Sequence, residues 1–368
     1  MAIAGPFPPY RGGIAQFSSM LLDSLKETYA DHSFMPISFS RLYPSILFPG
    51  KTQYTEETST IKSEVPAILN STNPFAWKKS RTFFAENEID AVVLQWWHPF
   101  FAPVLHYSIP PNTLKIAICH NVSPHEGFPW GKTLTQSFLR NMDYAVVHGN
   151  SSFTEASSFI PPGKLIKLFH PVYNQYLNDD ITFTSAREKL GYSTNDKILL
   201  FFGLIRPYKG VIDLLDAVTT LPPDIKLLIV GEAYSGSDEI RAKISQAGLS
   251  GRVQWISRFV PDKDVALYFN CADAVVLPYR TATQSGVAQI ALSFRKPLVL
   301  TDTGDLKELI DTGSTGFLSK PSSPTDLSGA ILRCLELSED PGLANRIAQK
   351  AGEFSWDLYS NTLMEKIL

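Results

Sequence analysis

AVVLPYRTATQSGVAQIALSFRKPLVLTDTGDLKEL, residues Ala274–Leu309, is the stretch whose pattern decides the fold. Its first four residues are apolar and suit a strand covered on both faces. A loop of small polar residues, Thr281–Gly286, then runs into an apolar helical pattern. A second buried strand, PLVLT, follows, and the turn DTGD leads towards another helix. Strand, loop, helix, strand is a βαβ unit, whose crossover takes about a dozen residues. Ligands of such sheets bind at the carboxyl ends of the strands, which is where this loop must lie. Small residues with one glycine at a helix start leave backbone N–H groups uncovered, and that suits a phosphate. An ordinary βα connection with a serine cap fits the same residues, so the rest of the chain has to decide.

Upstream of this stretch the same grammar recurs. NDKILLFFG is a continuous apolar strand delivering the loop LIRPYKG, followed by the helical VIDLLDAVTTL and the strand KLLIVG. DEIRAKISQAG, RVQWIS and DKDVALYFNCA continue the alternation of helix and strand. Before about Tyr173 lies an earlier set: the strand AIAG, a Pro-rich turn with Gly12 and Gly13, the helix IAQFSSMLLDSLKE, and the strands DAVVLQ, KIAIC, YAVVH and KLIKL. Residues 38–75, rich in Ser, Thr and Pro, read as irregular. His120 follows KIAIC, so it stands at a strand's carboxyl end, where a side chain points into the ligand crevice. Two successive sets predict an α/β protein of two doubly wound, Rossmann-like domains facing a central cleft.

Bulk properties agree with two cores and limit the partners. A chain of 368 residues exceeds one ordinary core, and 44% hydrophobic content supports tight packing. A formal charge of −3 argues against nucleic acid as a partner. Cys119, Cys271 and Cys334 sit far apart in core-like runs and read as reduced thiols without zinc spacing. No signal peptide is visible, and no run approaches the roughly 20 apolar residues that cross a bilayer. The expected setting is the cytoplasm, with peripheral contact to the inner face of a membrane. That contact is expected through Tyr43–Phe48 and Trp96–Phe101, beside Lys78, Lys79 and Arg81.

GPFPPYRGGIA, FGLIRPYKG, VQWISRFVPD, CADAVVLPY and KPLVLTDTGDLKELI stand in this order along the chain. Together they resemble the family 4 glycosyltransferases of the GT-B fold, retaining type. The resemblance implies an acceptor-binding domain over 1–172, a nucleotide-sugar-binding domain over 173–352, and a helix, 353–368, crossing back to the first domain. It implies transfer of a sugar from a nucleotide-diphosphate sugar to a glycan or lipid-linked acceptor, in envelope or exopolysaccharide synthesis, with no metal and no cofactor. By the same resemblance Arg206 and Lys209 grip the donor diphosphate, and Gly12 and Gly13 form the N-terminal glycine loop beside it. His120 meets the transferred sugar, while Arg258 and Phe259 hold the nucleobase. The aromatic segment Trp96, Trp97, His98 is expected on the acceptor or membrane side, against a core role that its composition fits as well.

One departure is plain. The family commonly carries two glutamates eight residues apart in the donor loop, but no carboxylate occurs from Thr281 to Ser293. This marks a subgroup without the pair. Donor recognition is then expected from the backbone of Ser285, Gly286 and Val287, with Thr283 or Gln284 near the sugar. Gly286 is expected to keep space for phosphate oxygens and to have backbone angles that exclude a Cβ. A degenerate protein that binds a nucleotide sugar or a partner, or a nucleotide-sugar epimerase, is the alternative.

Overall fold

The computed structural model describes residues 1–43, 54, 65–122, 130–246 and 248–368. The chain divides into two compact units, Met1–Phe169 with Trp356–Leu368, and His170–Ser355.

The first unit is a parallel sheet of seven strands. They are β1 (Ala2–Ala4), β2 (Met35–Arg41), β3 (Ala67–Asn70), β4 (Ala91–Trp96), β5 (Leu114–Cys119), β6 (Tyr144–His148) and β7 (Leu165–Leu168), in the order β3-β2-β1-β4-β5-β6-β7. The strand β4 shows how one sequence serves both faces. Val92, Leu94 and Trp96 join one apolar cluster, while Ala91 and Val93 join the other. That alternation is the period of two set by the pleat. The second cluster is closed by the helix Trp356–Ile367, which contributes Trp356, Tyr359, Leu363, Met364 and Ile367. Polar bonds pin this helix as well: Ser24 Oγ meets Ser360 Oγ at 2.7 Å, and buried His148 Nε2 meets Tyr359 Oη at 3.0 Å.

The second unit is a parallel sheet of six strands: β8 (Lys197–Phe202), β9 (Ile225–Val230), β10 (Val253–Ile256), β11 (Ala274–Leu277), β12 (Leu298–Thr301) and β13 (Gly316–Ser319). Their order is β10-β9-β8-β11-β12-β13. In both sheets the first strand of the set lies inside the sheet and the order reverses beside it, between β1 and β4 and between β8 and β11. Such a reversal is where the loops on either side diverge and leave a crevice.

Four elements differ from the sequence reading. The segment read as irregular contains part of β2 and all of β3, and β13 follows the second apolar strand. Strands β2 and β13 carry Pro, Ser or Gly in place of a continuous apolar run, and β3 is only four residues long, so pairing with their sheet neighbours, rather than intrinsic propensity, makes them. The turn DTGD leads into a single 3-10 turn, Leu306–Leu309, and not into an α-helix. Cys119, Cys271 and Cys334 are free and buried.

Candidate functional site

At the reversal of the second sheet two loops meet. The first follows β8 and carries Arg206 and Lys209 around the 3-10 turn Pro207–Lys209. The second follows β11 and runs through Thr283 and Gln284 into the helix Gly286–Ser293. Gly203, at the end of β8, has φ +104°, and a Cβ there would lie 3.3 Å from Val287 Cγ2 and 3.5 Å from Lys209 Nζ. One small space therefore brings together the lysine ammonium and the first turn of the helix. Lys209 Nζ also stands 5.4 Å from the ring centroid of buried Tyr279, and Arg206 Cζ lies 4.9 Å from the ring of Tyr234. Burial lowers the Lys209 ammonium below its ordinary value and the neighbouring Arg206 charge adds to this, while Tyr208 opposes it. Among the described residues no carboxylate forms an ion pair with Lys209. A cation held this way gains most when an anion arrives.

Glycines with positive φ let the loops nest. Gly210 has φ +68°, and a Cβ there would collide with the Pro278 carbonyl of the opposite loop. Gly304, φ +53°, packs on the Ala282 carbonyl in the same way. Hydrogen bonds complete the frame. Arg280 N donates to Tyr208 O at 2.7 Å, and Asp305 N donates to Thr283 O at 3.3 Å. Arg280 grips Asp213 with two bonds of 2.8 Å, so the helix after the first loop holds the second loop.

The helix start behaves partly as expected. Ser285 is its N-cap, and both its carbonyl and its Oγ accept from Ala288 N, at 3.1 and 3.3 Å. The serine side chain thus serves the helix itself. The N–H groups of Gly286 and Val287 belong to the first turn, which has no acceptor within a helix. Gly286 is not forced by its backbone: a Cβ there would meet only the Tyr173 ring, at 3.5 Å. The expectation that its angles exclude a Cβ is therefore corrected.

Arg258 and Phe259 follow β10 at the rim of this sheet, away from the reversal, and both are exposed. Arg258 donates to Tyr268 Oη at 3.1 Å. One residue escaped the sequence reading. Gln289, 1% exposed, lies one turn into the helix with its Oε1 unpartnered among the described residues. A lone Gln in an apolar helical run (GVAQIALS) was the available signal.

In the first unit, Gly12 and Gly13 stand at the start of the helix Gly13–Thr28, with Gly12 at φ 111°, ψ 166°, a region that only glycine occupies readily. His120 stands at the carboxyl end of β5, half-buried, its Nε2 2.6 Å from Gln95 Oε1 and its ring edge-on to Phe17 at 4.9 Å. Trp96 does not face a ligand. It is 1% exposed and stacked on Phe138 at 4.2 Å, because the alternation of β4 turns it into the core. Trp97 and His98 are half-buried and locally tied: Trp97 Nε1 donates to Tyr43 Oη at 2.8 Å, and His98 Nδ1 accepts from Phe100 N at 3.1 Å. Of the apolar run Tyr43–Phe48, all but Tyr43 lies outside the described residues. Nearby, Thr72, Pro74, Trp77, Pro99, Phe100 and Leu134 line an apolar groove of about 280 Å³. Among the described residues no helix is long and apolar enough to cross a membrane.

Residues 182–354 match the family model "Glycosyl transferases group 1". The chain is 27% identical over 205 residues to alpha-D-kanosaminyltransferase of Streptomyces kanamyceticus, covering 55% of this chain and 52% of that one. It is 25% identical over 259 residues to GDP-mannose:glycolipid 4-beta-D-mannosyltransferase of Xanthomonas campestris pv. campestris, covering 68% and 70%. The chain spans about half the length of the first of these curated relatives. Among solved structures, HepE of Anabaena in complex with UDP-glucose superposes with a TM-score of 0.74 over 99% of this chain and 98% of that one, at 18% identity. With two parallel Rossmann-like sheets, the chain has the GT-B fold, and residues 182–354 of its second unit match the group 1 glycosyltransferase model.

Proposed function

We propose that the protein transfers a sugar from a nucleotide-diphosphate sugar to a glycan or lipid-linked acceptor, with retention of the anomeric configuration. The observation that carries this reading is the joint placement of Lys209 Nζ and the start of the helix Gly286–Ser293 around Gly203. A departing nucleoside diphosphate gains negative charge as the glycosidic bond breaks. A preorganised ammonium and two helix-start amides stabilise that charge without reorganising. Asp213 and Arg280 hold the two loops in register, so the charge meets its partners at fixed distance. Arg206 supplies the second cation of this grip, and His120 in the first unit is assigned to a hydroxyl of the transferred sugar. Bound UDP-glucose in the HepE structure and the glycolipid acceptor named for the Xanthomonas relative support donor and acceptor classes of this kind.

The names of the relatives include both an alpha-D-kanosaminyl and a 4-beta-D-mannosyl transfer, so retention is tested on the product itself. The anomeric NMR coupling of the transferred sugar in the product, set against that of the donor, tests it directly. Screening nucleoside diphosphates and their sugars by thermal shift tests the donor. A ligand at 100 times its dissociation constant adds about 2.7 kcal/mol to stability. Absence of any shift across the common diphosphates and nucleotide sugars overturns the donor assignment.

We extend the reading to peripheral contact with an anionic membrane through the first unit. Phe75 is 89% exposed on the helix Pro74–Glu86, which also carries Lys78, Lys79 and Arg81. Apolar anchors beside basic residues suit a lipid headgroup surface. Sedimentation with anionic vesicles at low salt is expected for the wild type and lost in Phe75→Asp. Equal sedimentation of the two removes the claim.

A further inference from the structure

Gln95 occupies the reversal of the first sheet, between β1 and β4, and is fully buried. A whole glycine is given up to seat it: a Cβ on Gly5, just past β1, would stand 2.5 Å from Gln95 Cγ and 2.9 Å from its Cβ. Its Oε1 lies 2.6 Å from His120 Nε2, yet its Nε2 has no partner among the described residues. A buried amide that leaves its own donor unpaired is costly, and a methionine or leucine would fill the same space without that cost. Stability does not explain the residue; the bond to His120 does. The ring is held on its other sides too. The His120 backbone N–H donates to Trp96 O at 2.8 Å, and Phe17 meets the ring edge-on.

We propose that Gln95 is a positioning residue that fixes the tautomer of His120. The carbonyl oxygen of Gln95 can only accept, so His120 Nε2 must carry the proton. The neutral ring then bears its lone pair on Nδ1, and at that atom it accepts from a hydroxyl and does not donate. The assignment deepens the glycosyltransferase reading, because it states which side of His120 takes a sugar or acceptor hydroxyl and with what polarity.

The test uses the full chain, 15N-labelled at histidine, with long-range 1H–15N spectra of the imidazoles recorded where the ring is neutral. The wild type is expected to show His120 as the Nε2–H tautomer. Gln95→Met, which keeps the volume and removes the acceptor, is expected to show a mixture of tautomers. Gln95→Glu, which keeps an oxygen in place, is expected to restore the Nε2–H form. In a transfer or donor-hydrolysis assay Gln95→Met should lower kcat by about tenfold or more with KM for the donor nearly unchanged, within the range of about 10²–10⁴ that positioned proton-transfer groups supply. Gln95→Glu should recover most of that loss. An Nδ1–H tautomer in the wild type, or an unchanged tautomer in Gln95→Met, overturns the proposal. If Gln95→Met does not fold, the wild-type and Gln95→Glu spectra still decide. Lack of transfer by the wild type with every nucleotide sugar would instead strike the glycosyltransferase reading, since the spectra stand independently of turnover.

Discussion

At the reversal of the second sheet stand Arg206 and Lys209, two cations on a loop framed by glycines. At the same point of the first sheet stand Gln95 and His120, a hydrogen-bonded amide and imidazole walled by Phe17. Strand order around the two points is the same, and the chemistry is opposite. On the function proposed above, one edge meets growing negative charge and the other orients a hydroxyl. Topology therefore supplies the place, and the residues at the strand ends and in the loops supply the chemistry. Backbone design differs in the same sense. The second edge nests two loops through Gly210 and Gly304, whereas the first fills its crevice with a side chain that Gly5 makes room for.

The largest effect should come from removing charge at the second edge. Lys209→Ala is expected to raise the barrier to donor cleavage by about 3–4 kcal/mol, a loss of roughly 10²–10³ in turnover, with the unfolding midpoint little changed. Near-normal turnover in both Lys209→Ala and Arg206→Ala would erase the contrast between the edges.

Next comes the helix start. Gly286→Ala should fold normally, because its Cβ meets only the Tyr173 ring at ordinary distance. Gly286→Val should abolish binding of the free nucleoside diphosphate in calorimetry. Gln284→Ala should keep the diphosphate and weaken only the sugar-bearing donor. Normal diphosphate binding by Gly286→Val would make the loop a plain connection.

A smaller effect is expected at the frame. Asp213→Ala strips the partner from Arg280, whose side chain is 43% exposed, so solvent screens part of the loss. About 1 kcal/mol of stability should go, read by urea unfolding, together with weaker diphosphate binding. Loss of stability without loss of binding would separate the frame from the site.

The smallest effect concerns pH. Burial lowers the Lys296 ammonium to about 8, although Asp273 opposes the shift, and its Nζ donates to the Ala272 carbonyl at 2.8 Å. The unfolded chain holds this proton up to the ordinary lysine range near 10.4, so between these values it binds more protons than the folded one. Stability from this group therefore rises as pH climbs from about 8 towards 10. Wild type should gain thermal midpoint relative to Lys296→Met over that window. Parallel curves for the two proteins would show that the lysine keeps its charge when folded.

Much of this was legible in residue patterns. Continuous apolar runs such as KILLFF and AVVL can be little else than doubly covered strands, and β8 and β11 lie where those runs stand. His120 was visible because it closes such a run at a carboxyl end, and Lys209 because, with Arg206, it matches the family's basic pair in the loop after such a run. Trp96 was not readable, since an aromatic at a strand's last residue can point either way until the pleat is known. Gln95 was hidden for a related reason. In DAVVLQ it looks like a polar strand end, and only the spatial neighbour Gly5, ninety residues earlier in sequence, shows that it is seated inside. Strands β2 and β3 owe their form to pairing, which no local window contains.

The helix Trp356–Ile367 also sets an order of events during synthesis. His148 and Tyr359, which share a hydrogen bond, are 211 residues apart, and Ser24 and Ser360 are 336 apart. The second unit, by contrast, is one continuous run, His170–Ser355. As the chain emerges, the first unit's strands are all available early, but one face of their sheet is covered only in part, by the helix Gly13–Thr28, until everything up to Ile367 has been made. Contacts of such long range form late and slowly. The ribosome thus releases a protein whose later-made half can close first, while the earlier half waits with Phe17 uncovered for Trp356 and Tyr359 to arrive. During that wait the uncovered face is the part of the molecule most in need of a chaperone.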